Sequence, residues 1–169
     1  MDSNTFVQNE DIETVIQRYK STIYGIALNY TGSSADADDI FQEVFLIYFR
    51  SKPDFNDEEH RKAWLIRTTM NCSLRVVDST YRRRVTPVSE MQEGSFKFKS
   101  KEENAVYLAL RQLPEKYRLV LQLFYFEDMS VEQIADTLTL TKSNVKVQLM
   151  RAREQMKEIL RKEEEYSGR

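Results

Sequence analysis

Residues 130–153, SVEQIADTLTLTKSNVKVQLMRAR, constrain the fold of this chain most, because they predict two short helices joined by a tight turn. Ser130 is a favourable N-cap, and Gln133 three positions later completes a capping box that pairs two backbone N–H groups. Thr141 can cap the second helix in the same way. Each helix also has apolar residues at helical spacing, which predicts one buried face. These residues are Val131, Ile134, Ala135 and Leu138 in the first helix, and Val145, Leu149 and Ala152 in the second.

The second of these helices is basic. Lys142, Lys146, Arg151 and Arg153 fall outside its apolar positions and remain for solvent or for phosphate groups. Two short helices with a tight turn and a basic second helix are typical of proteins that enter the major groove of DNA. An ordinary helical hairpin with a solvated charged face is the alternative.

The turn between the two helices carries Thr139 where a glycine is usual. The chain at this position tends to adopt a positive φ, which strains a β-branched residue by ~1–2 kcal/mol. We therefore expect either a different turn geometry or packing that compensates for the strain.

The composition favours an all-α protein. Four glycines and three prolines in 169 residues are too few for a β-sandwich or barrel, which needs many tight turns. The single cysteine cannot form an internal disulfide, which favours a reducing compartment. The acidic, polar start is not a signal peptide, and the longest apolar run, VFLIYF at residues 44–49, is too short to span a bilayer. We expect a cytoplasmic protein without membrane insertion.

The chain divides into two halves. Between residues 84 and 101 the helical periodicity lapses, and the segment holds Pro87 and Gly94 among polar residues. We predict a helical domain at residues 1–84, a flexible linker at 85–102 and a second helical domain at 103–169, which contains the helix-turn-helix.

The first half predicts three or four helices. An apolar stripe that runs from Ile12 to Tyr30 predicts the first, Ser34 is expected to cap the second, and Asn56 with Glu59 the third. Four residues of the second helix, spaced at i, i+3, i+4 and i+7, share one face opposite its aromatic residues, and this face should be exposed. It is either a binding surface or merely a solvated acidic face. These positions are Asp39, Gln42, Glu43 and Leu46.

The third helix carries Arg67, Asn71 and Arg75 close to one face, with Trp64 and Phe55 nearby. This combination suits single-stranded DNA, because guanidinium groups hold phosphates, aromatic rings stack on bases and an amide reads a base edge. A core tryptophan beside a solvated arginine face would give the same pattern.

The net charge of −2 limits how the chain could bind DNA. A protein that binds DNA unaided usually carries a positive field, since neutralisation of phosphates supplies most of the affinity. The basic residues of this chain are instead clustered locally, so we expect a larger partner to supply the rest of the binding energy.

Patterns of catalytic chemistry are missing from the sequence. It has no glycine-rich phosphate loop, no metal-ligand cluster and no Ser-His-Asp arrangement. We therefore expect a protein that is not an enzyme and needs no cofactor or metal. His60 is expected to be a solvated surface residue. Cys72 is expected to be a buried structural thiol, with a redox switch beside Asn71 as the alternative.

Taken together, these segments resemble the extracytoplasmic-function sigma factors, the small two-domain class of bacterial RNA polymerase specificity subunits. The resemblance covers about residues 10–160 and depends on the order and spacing of four segments. They are ADADDIFQEVFLIYF at 35–49, KAWLIRTTMNCSL at 62–74, LRQLPEKYRLVLQLFYFEDMSVEQIA at 110–135 and NVKVQLMRARE at 144–154.

The resemblance implies a role for each candidate residue. The exposed face of the second helix would dock on the polymerase through Asp39, Gln42, Glu43 and Leu46. The minus-ten element would be bound by Phe55, as the aromatic wall of a base pocket, and by Arg67, Thr68, Asn71 and Arg75; Thr68 stands where an aliphatic residue is common. The minus-thirty-five element would be bound by Lys142, Ser143, Asn144, Lys146, Val147, Gln148 and Arg151; Gln148 stands where arginine is frequent.

The partners implied by the resemblance are core RNA polymerase, promoter DNA and an anti-sigma factor. On the polymerase, the contacts would be the clamp helices of the largest subunit and the flap of the second. The function would be promoter recognition and transcription initiation in a stress or envelope-signal response. A stand-alone helix-turn-helix regulator with a helical sensor domain is the alternative, and a non-DNA adaptor is a third class. The acidic face and the low charge favour the first class over the second, and the basic last helix disfavours the third.

Overall fold

The structure is a computed structural model that describes residues 10–83 and 100–168. All regular elements in these two ranges are helical, so the prediction of an all-α protein is confirmed. The described residues fall into two compact units, residues 10–83 and residues 100–168. The domain boundaries at 84 and 103 stay predictions, because residues 84–99, which include most of the predicted linker, lie outside the described residues.

The N-terminal unit consists of three helices: α1 (Ile12–Thr31), α2 (Ser34–Ser51) and α3 (Glu58–Arg83). Each of the three packs against the other two. Their apolar stripes meet in a core in which the side chains of Val15, Ile23, Ile26, Ile40, Val44, Leu65 and Ile66 are fully buried. The stripe predicted for the first helix is therefore the face that the fold buries.

Two consecutive residues, Gly32 and Ser33, set the end of α1 and the start of α2. Gly32 ends α1 in the left-handed region at φ 65°, which glycine adopts without steric cost. The N-cap of α2 is Ser33, whose hydroxyl accepts a hydrogen bond from the Asp36 N–H at 3.2 Å. The prediction of Ser34 as the cap was wrong by one residue, because two adjacent serines offer the same local signal.

The start of α3 also differs from the prediction. Asp57 is the capping residue, since its Oδ1 accepts from the His60 N–H at 2.8 Å. The His60 side chain bonds to a different residue, because its Nδ1 accepts from the Asn56 N–H at 3.2 Å. These two hydrogen bonds of His60 replace the cap expected from Asn56 and Glu59. His60 is half-buried and lies edge-on to the Phe55 ring, so it is not a merely solvated residue.

A buried arginine ties the start of α3 to the residues that precede α1. The side chain of Arg61 is 0% exposed, and its Nη1 donates to Glu10 at 2.6 Å and lies 3.5 Å from Glu58. Arg18 of α1 pairs with the same two carboxylates. The hydrogen bond from Arg18 holds the pKa of Glu10 below its usual range. Burial and a hydrogen bond to Glu58 raise the pKa of the Tyr19 hydroxyl.

The C-terminal unit consists of α4 (Lys101–Arg111), α5 (Glu115–Leu121), a π-helical turn (Gln122–Phe126), α6 (Val131–Leu138) and α7 (Lys142–Ser167). Both α5 and α6 pack against α7. The core of this unit includes the buried residues Leu123, Ile134, Val145, Leu149 and Ala152. The inward positions predicted for α7 are therefore confirmed.

The predicted caps of the helix-turn-helix are confirmed. The Ser130 N–H donates to Gln133 Oε1 at 2.9 Å, and the Gln133 N–H donates to Ser130 Oγ at 3.1 Å. Thr141 Oγ1 accepts from the Asn144 N–H at 3.1 Å. These pairs satisfy backbone donors that the first turn of a helix leaves without an intrahelical partner.

Thr139 does adopt the strained conformation, with φ 57° and ψ 48°. The turn keeps the geometry that usually requires glycine, and two backbone donors close it. The Thr139 N–H and the Leu140 N–H both donate to the Ala135 carbonyl oxygen, the second at 2.9 Å. These bonds satisfy the end of α6 and hold the short connection to α7.

Candidate nucleic-acid and protein-binding surfaces

The acidic face of α2, defined by Asp39, Gln42, Glu43 and Leu46, lies on the surface of the N-terminal unit. Asp39 and Gln42 are exposed, Leu46 is 51% exposed and Glu43 is half-buried. Ile40 and Val44 on the other side of the helix are fully buried, which explains why this face is turned outward. The four predicted residues therefore form one continuous strip.

Sequence reasoning missed an apolar residue that extends this strip. Phe49 is 64% exposed and follows Leu46 by three positions, so the two side chains are neighbours on the helix surface. Phe49 ends the apolar run VFLIYF, and sequence reasoning gave it no place on either side of the helix. Its spacing from Asp39, Gln42 and Leu46 was the signal that could have placed it on the exposed face.

The exposed side of α3 carries Arg67, Asn71 and Arg75, as predicted. Arg75 Nη2 donates to Glu43 Oε1 at 2.7 Å and to Cys72 Sγ at 3.3 Å. This ion pair joins the acidic face of α2 to the arginine-bearing side of α3. Thr68 is half-buried, and its hydroxyl donates to the Trp64 carbonyl oxygen at 2.8 Å.

Phe55 differs from the role that the resemblance implied. Its ring is only 2% exposed, because the Arg61 guanidinium lies 5.7 Å from its centroid and the rings of Tyr48, His60 and Trp64 surround it. A buried ring offers no open face to a base. In this structure Phe55 supports the half-buried Trp64, whose ring lies 5.9 Å away, and Trp64 is the aromatic residue nearer the surface.

Cys72 is 1% exposed and lies directly beside Asn71 in the sequence. Burial raises the pKa of its thiol, which disfavours the reactive thiolate. The interpretation of Cys72 as a buried structural thiol agrees with this position.

The exposed side of α7 carries most of the residues predicted to contact duplex DNA. Lys142, Ser143, Asn144, Lys146, Val147 and Arg151 are exposed. Gln148 is half-buried, and its Nε2 donates to Asn144 Oδ1 at 3.0 Å. Lys142 Nζ lies 3.4 Å from Glu132 of α6, an exposed pair that contributes little to stability.

Arg153 is exposed, as the sequence predicted, but its side chain also contacts two aromatic rings. Its guanidinium lies 5.4 Å from the Phe124 centroid and 5.6 Å from that of Tyr125. Its Nε also donates to the Tyr125 hydroxyl at 2.7 Å. The side chain of Arg153 therefore connects α7 to the π-helical turn. The sequence did not predict this contact, because it joins residues far apart in the chain.

An apolar groove of about 610 Å³ lies between α4, the π-helical turn and the C-terminal half of α7. Tyr125 and Phe126 line it and are 54% and 52% exposed, and Leu160 is 41% exposed. Arg153 and Lys157 contribute basic groups to the lining. The groove is thus an apolar surface with a charged border, in which Glu164 stands beside the basic residues.

The part of the chain that the structure describes has neither a metal-ligand cluster nor a membrane-spanning helix. Residues 10–83 and 100–168 contain no group of three or more histidine, cysteine, aspartate or glutamate side chains placed to hold a metal ion. No helix in this part of the chain is both long enough and apolar enough to cross a membrane.

Two models of sigma-70 regions match this chain. The model of sigma-70 region 2 matches residues 15–84, and that of sigma-70 region 4 matches residues 103–156. The two matches together cover more than half of the chain. They also correspond to the N-terminal unit and to most of the C-terminal unit.

Curated relatives match over nearly the full length. RNA polymerase sigma factor SigV of Bacillus subtilis (strain 168) is 27% identical over 157 residues, which are 89% of this chain and 92% of the relative. The ECF RNA polymerase sigma factor SigM of the same organism is 24% identical over 159 residues, or 88% of this chain and 94% of the relative.

Solved structures share the fold. The sigma factor RpoE from Bartonella quintana, solved in complex with the anti-sigma factor NepR, matches with a TM-score of 0.68 and 18% sequence identity. The match covers 89% of this chain and 97% of that chain. CnrH, solved in complex with the cytosolic domain of CnrY, matches with a TM-score of 0.62 and 21% identity over 88% of this chain and 86% of that chain.

Proposed function

The chain belongs to the sigma-70 family, in its extracytoplasmic-function class, and from this premise we propose that its two units divide the task of promoter recognition for RNA polymerase. The protein is an RNA polymerase sigma factor. It acts as a subunit of the polymerase in the initiation of transcription, and it catalyses no reaction of its own. The observation that supports the division of tasks is that an exposed acidic face and an exposed basic face lie on different units.

The acidic face of α2 docks on the clamp helices of the largest polymerase subunit. Its exposed Asp39 and Gln42 offer polar contacts, while Leu46 and Phe49 offer apolar area at the end of the same strip. Interfaces of this kind combine an apolar contact with charges that select and orient the partner. The groove beside Phe126 is the second surface, and it receives the flap of the second polymerase subunit.

The exposed side of α3 binds the unpaired minus-ten element. Asn71 has an exposed amide that can read a base edge, and Arg67 and Arg75 are exposed cations beside it. Thr68 and Trp64 lie next to them on the same helix and shape the contact. Capturing an extruded base costs about a few kcal/mol of unstacking, which these contacts and the polymerase offset.

The exposed side of α7 reads the duplex of the minus-thirty-five element. Lys142, Lys146 and Arg151 supply the positive charge, and Ser143 and Asn144 add hydrogen-bonding groups at the start of the helix. The Gln148 amide is bonded to Asn144, so the pair presents one joint polar contact. A recognition helix contacts base edges with its N-terminal residues, which agrees with the position of these groups.

We further propose that an anti-sigma factor controls the protein in a stress or envelope-signal response, and that it acts in the cytoplasm with the polymerase. Support for the anti-sigma factor comes from the sigma factor RpoE from Bartonella quintana, which was solved in complex with the anti-sigma factor NepR.

Promoter binding with and without core polymerase tests the proposed function. The isolated protein should bind promoter duplex weakly at physiological salt, because its net charge of −2 gives little general attraction to phosphates. Added core polymerase should create a sequence-specific complex, measured by gel shift and by run-off transcription on a promoter library. Tight, specific binding by the protein alone would instead indicate the stand-alone regulator.

Separate substitutions should separate the tasks of the two units. Asn71→Ala removes the base-reading amide, and the loss of one base contact costs ~1–3 kcal/mol. Strand opening, followed by the permanganate reactivity of unpaired thymines, should fall while the closed complex persists. Lys146→Ala with Arg151→Ala should instead weaken the first encounter and reduce its salt dependence, since two cations are lost.

A premelted template distinguishes this assignment from a general loss of activity. It should not fully rescue Asn71→Ala, because the lost contact is to the extruded base itself. The assignment is contradicted if Asn71→Ala weakens duplex recognition while the Lys146 and Arg151 double variant affects opening alone.

A further inference from the structure

Two large apolar side chains lie at the centre of the exposed side of α7. Val147 is 40% exposed and Met150 is 51% exposed. Val145, Leu149 and Ala152, which are almost fully buried, fix the inward side of the helix. At 3.6 residues per turn, positions 147 and 150 fall on the opposite side and adjoin each other there.

Polar and cationic residues surround these two side chains. Ser143, Lys146 and Arg151 are exposed on the same side of the helix. Cations beside an inserted helix reach the phosphates, and the residues on its outermost line meet the base edges. Val147 and Met150 are therefore placed where base edges are read, and neither can hydrogen-bond to a base as a donor.

The major groove offers such side chains one apolar partner on the bases, the C5-methyl group of thymine. We propose that Met150, together with Val147, selects the upstream promoter element by contacting thymine methyl groups. This inference rests on the proposed function, in which α7 enters the duplex, and adds a specificity that the polar residues of α7 do not supply.

The two side chains suit this task in different ways. Valine is short and branched, with one preferred χ1 rotamer in a helix, so Val147 presents its methyl groups at a fixed position. Methionine is unbranched and adapts to irregular gaps, so Met150 can follow the position of a methyl group one base step away. The specificity should therefore extend over neighbouring base pairs.

Replacing each thymine of the upstream element by deoxyuridine tests the proposal, because this change removes the methyl group and keeps the hydrogen-bonding pattern. The probe is the holoenzyme, assembled from core polymerase and the full chain, on promoter duplexes with one replacement each. The wild type should bind about fourfold more weakly at each contacted thymine, the effect of one buried methyl group. Met150→Ala should bind thymine and uracil duplexes equally at one position, and Val147→Ala should do so at a neighbouring position.

Two further variants control for general effects. Tyr166→Ala removes an apolar side chain that is 82% exposed near the end of the same helix, and it should keep the full preference for thymine. Met150→Leu restores apolar volume and should recover most of the preference. Circular dichroism of each variant confirms that α7 is intact.

The outcomes distinguish this inference from the proposed function. If the wild-type holoenzyme binds thymine and uracil duplexes equally at every position, or if the preference survives in both alanine variants, the inference is overturned. Promoter-specific binding would still be present in both cases, and the proposed function would stand. Absence of promoter-specific binding with core polymerase would contradict the proposed function itself.

Discussion

Replacing Asp39 and Glu43 by lysine should lower the affinity of the protein for core RNA polymerase at least about thirtyfold. Removing one partner of a charge pair that an interface buries costs about 2–5 kcal/mol, and like charges in contact add a further penalty. Both carboxylates belong to the acidic face of α2, and Asp39 is exposed. The measurement is capture of the double variant by immobilised core polymerase over a concentration series.

The fold should survive this double substitution. Glu43 loses its ion pair with Arg75, but solvent reaches both side chains, which are 39% and 64% exposed. An exposed pair contributes only ~0–1 kcal/mol, so the melting temperature and the helical content should change little. The matched control reverses Glu13 and Glu59, two exposed carboxylates of the same unit, which changes the net charge equally and should leave capture intact. Equal capture of the double variant and the wild type would mean that the acidic face is merely solvated.

The same capture assay tests the groove of the C-terminal unit. Leu160→Asp puts a charge into the apolar lining at a side chain that is already 41% exposed, so the unit should still fold. Capture should weaken because the carboxylate must be desolvated when an apolar segment docks. Unchanged capture would exclude the groove from the interface with the polymerase.

Arg61→Ala should destabilise the N-terminal unit by about 3 kcal/mol, because it removes a fully buried cation and leaves a cavity. The guanidinium donates to Glu10 at 2.6 Å and covers the Phe55 ring, so its loss affects both the ion pairs and the aromatic cluster. Urea unfolding followed by tryptophan fluorescence measures the effect. Trp64 is the single tryptophan of the chain and lies in this unit, so the signal reports on the affected residues.

The pH dependence of the unfolding free energy provides a second measure of the ion pair between Arg61 and Glu10. The pKa of Glu10 is lowered from 4.5, chiefly by its hydrogen bond with Arg18 and also by Arg61. A carboxyl group with a lowered pKa stabilises the fold above its unfolded pKa, and this contribution is lost as the pH falls through the folded pKa. The difference in unfolding free energy between the wild type and Arg61→Ala should therefore be largest at neutral pH and become smaller below about pH 4.5.

Two variants keep this prediction testable. Arg50→Ala removes an exposed arginine of α2 and should change the unfolding free energy by less than about 0.5 kcal/mol. Glu10→Gln removes one charge of the network but keeps a hydrogen-bonding side chain, so it should give a milder loss if Arg61→Ala proves too unstable to purify. Wild-type stability in both Arg61→Ala and Glu10→Gln would show that the network contributes nothing.

The sequence by itself determined the features that depend on neighbouring residues. The helix-turn-helix, its capping box at Ser130 and the cap at Thr141 were predicted correctly, because a cap is a contact between residues three positions apart. The buried sides of the helices followed from helical spacing in the same way. The errors in the caps of α2 and α3 were of one residue, where Ser33 and Asp57 compete with equally suitable neighbours.

Only the tertiary structure shows which polar and aromatic side chains make stabilising contacts within the protein. Arg61 is buried in an ion pair with Glu10, Phe55 is buried beside the Tyr48 ring, and Arg153 contacts the Phe124 ring. Each of these contacts joins residues from different parts of the chain, so helical spacing could not predict it. Conversely, Phe49 and Met150 are apolar by type but exposed, because no helix within residues 10–83 or 100–168 covers them. Periodicity states which residues share a face of a helix, but whether another element covers that face depends on contacts between residues distant in the sequence.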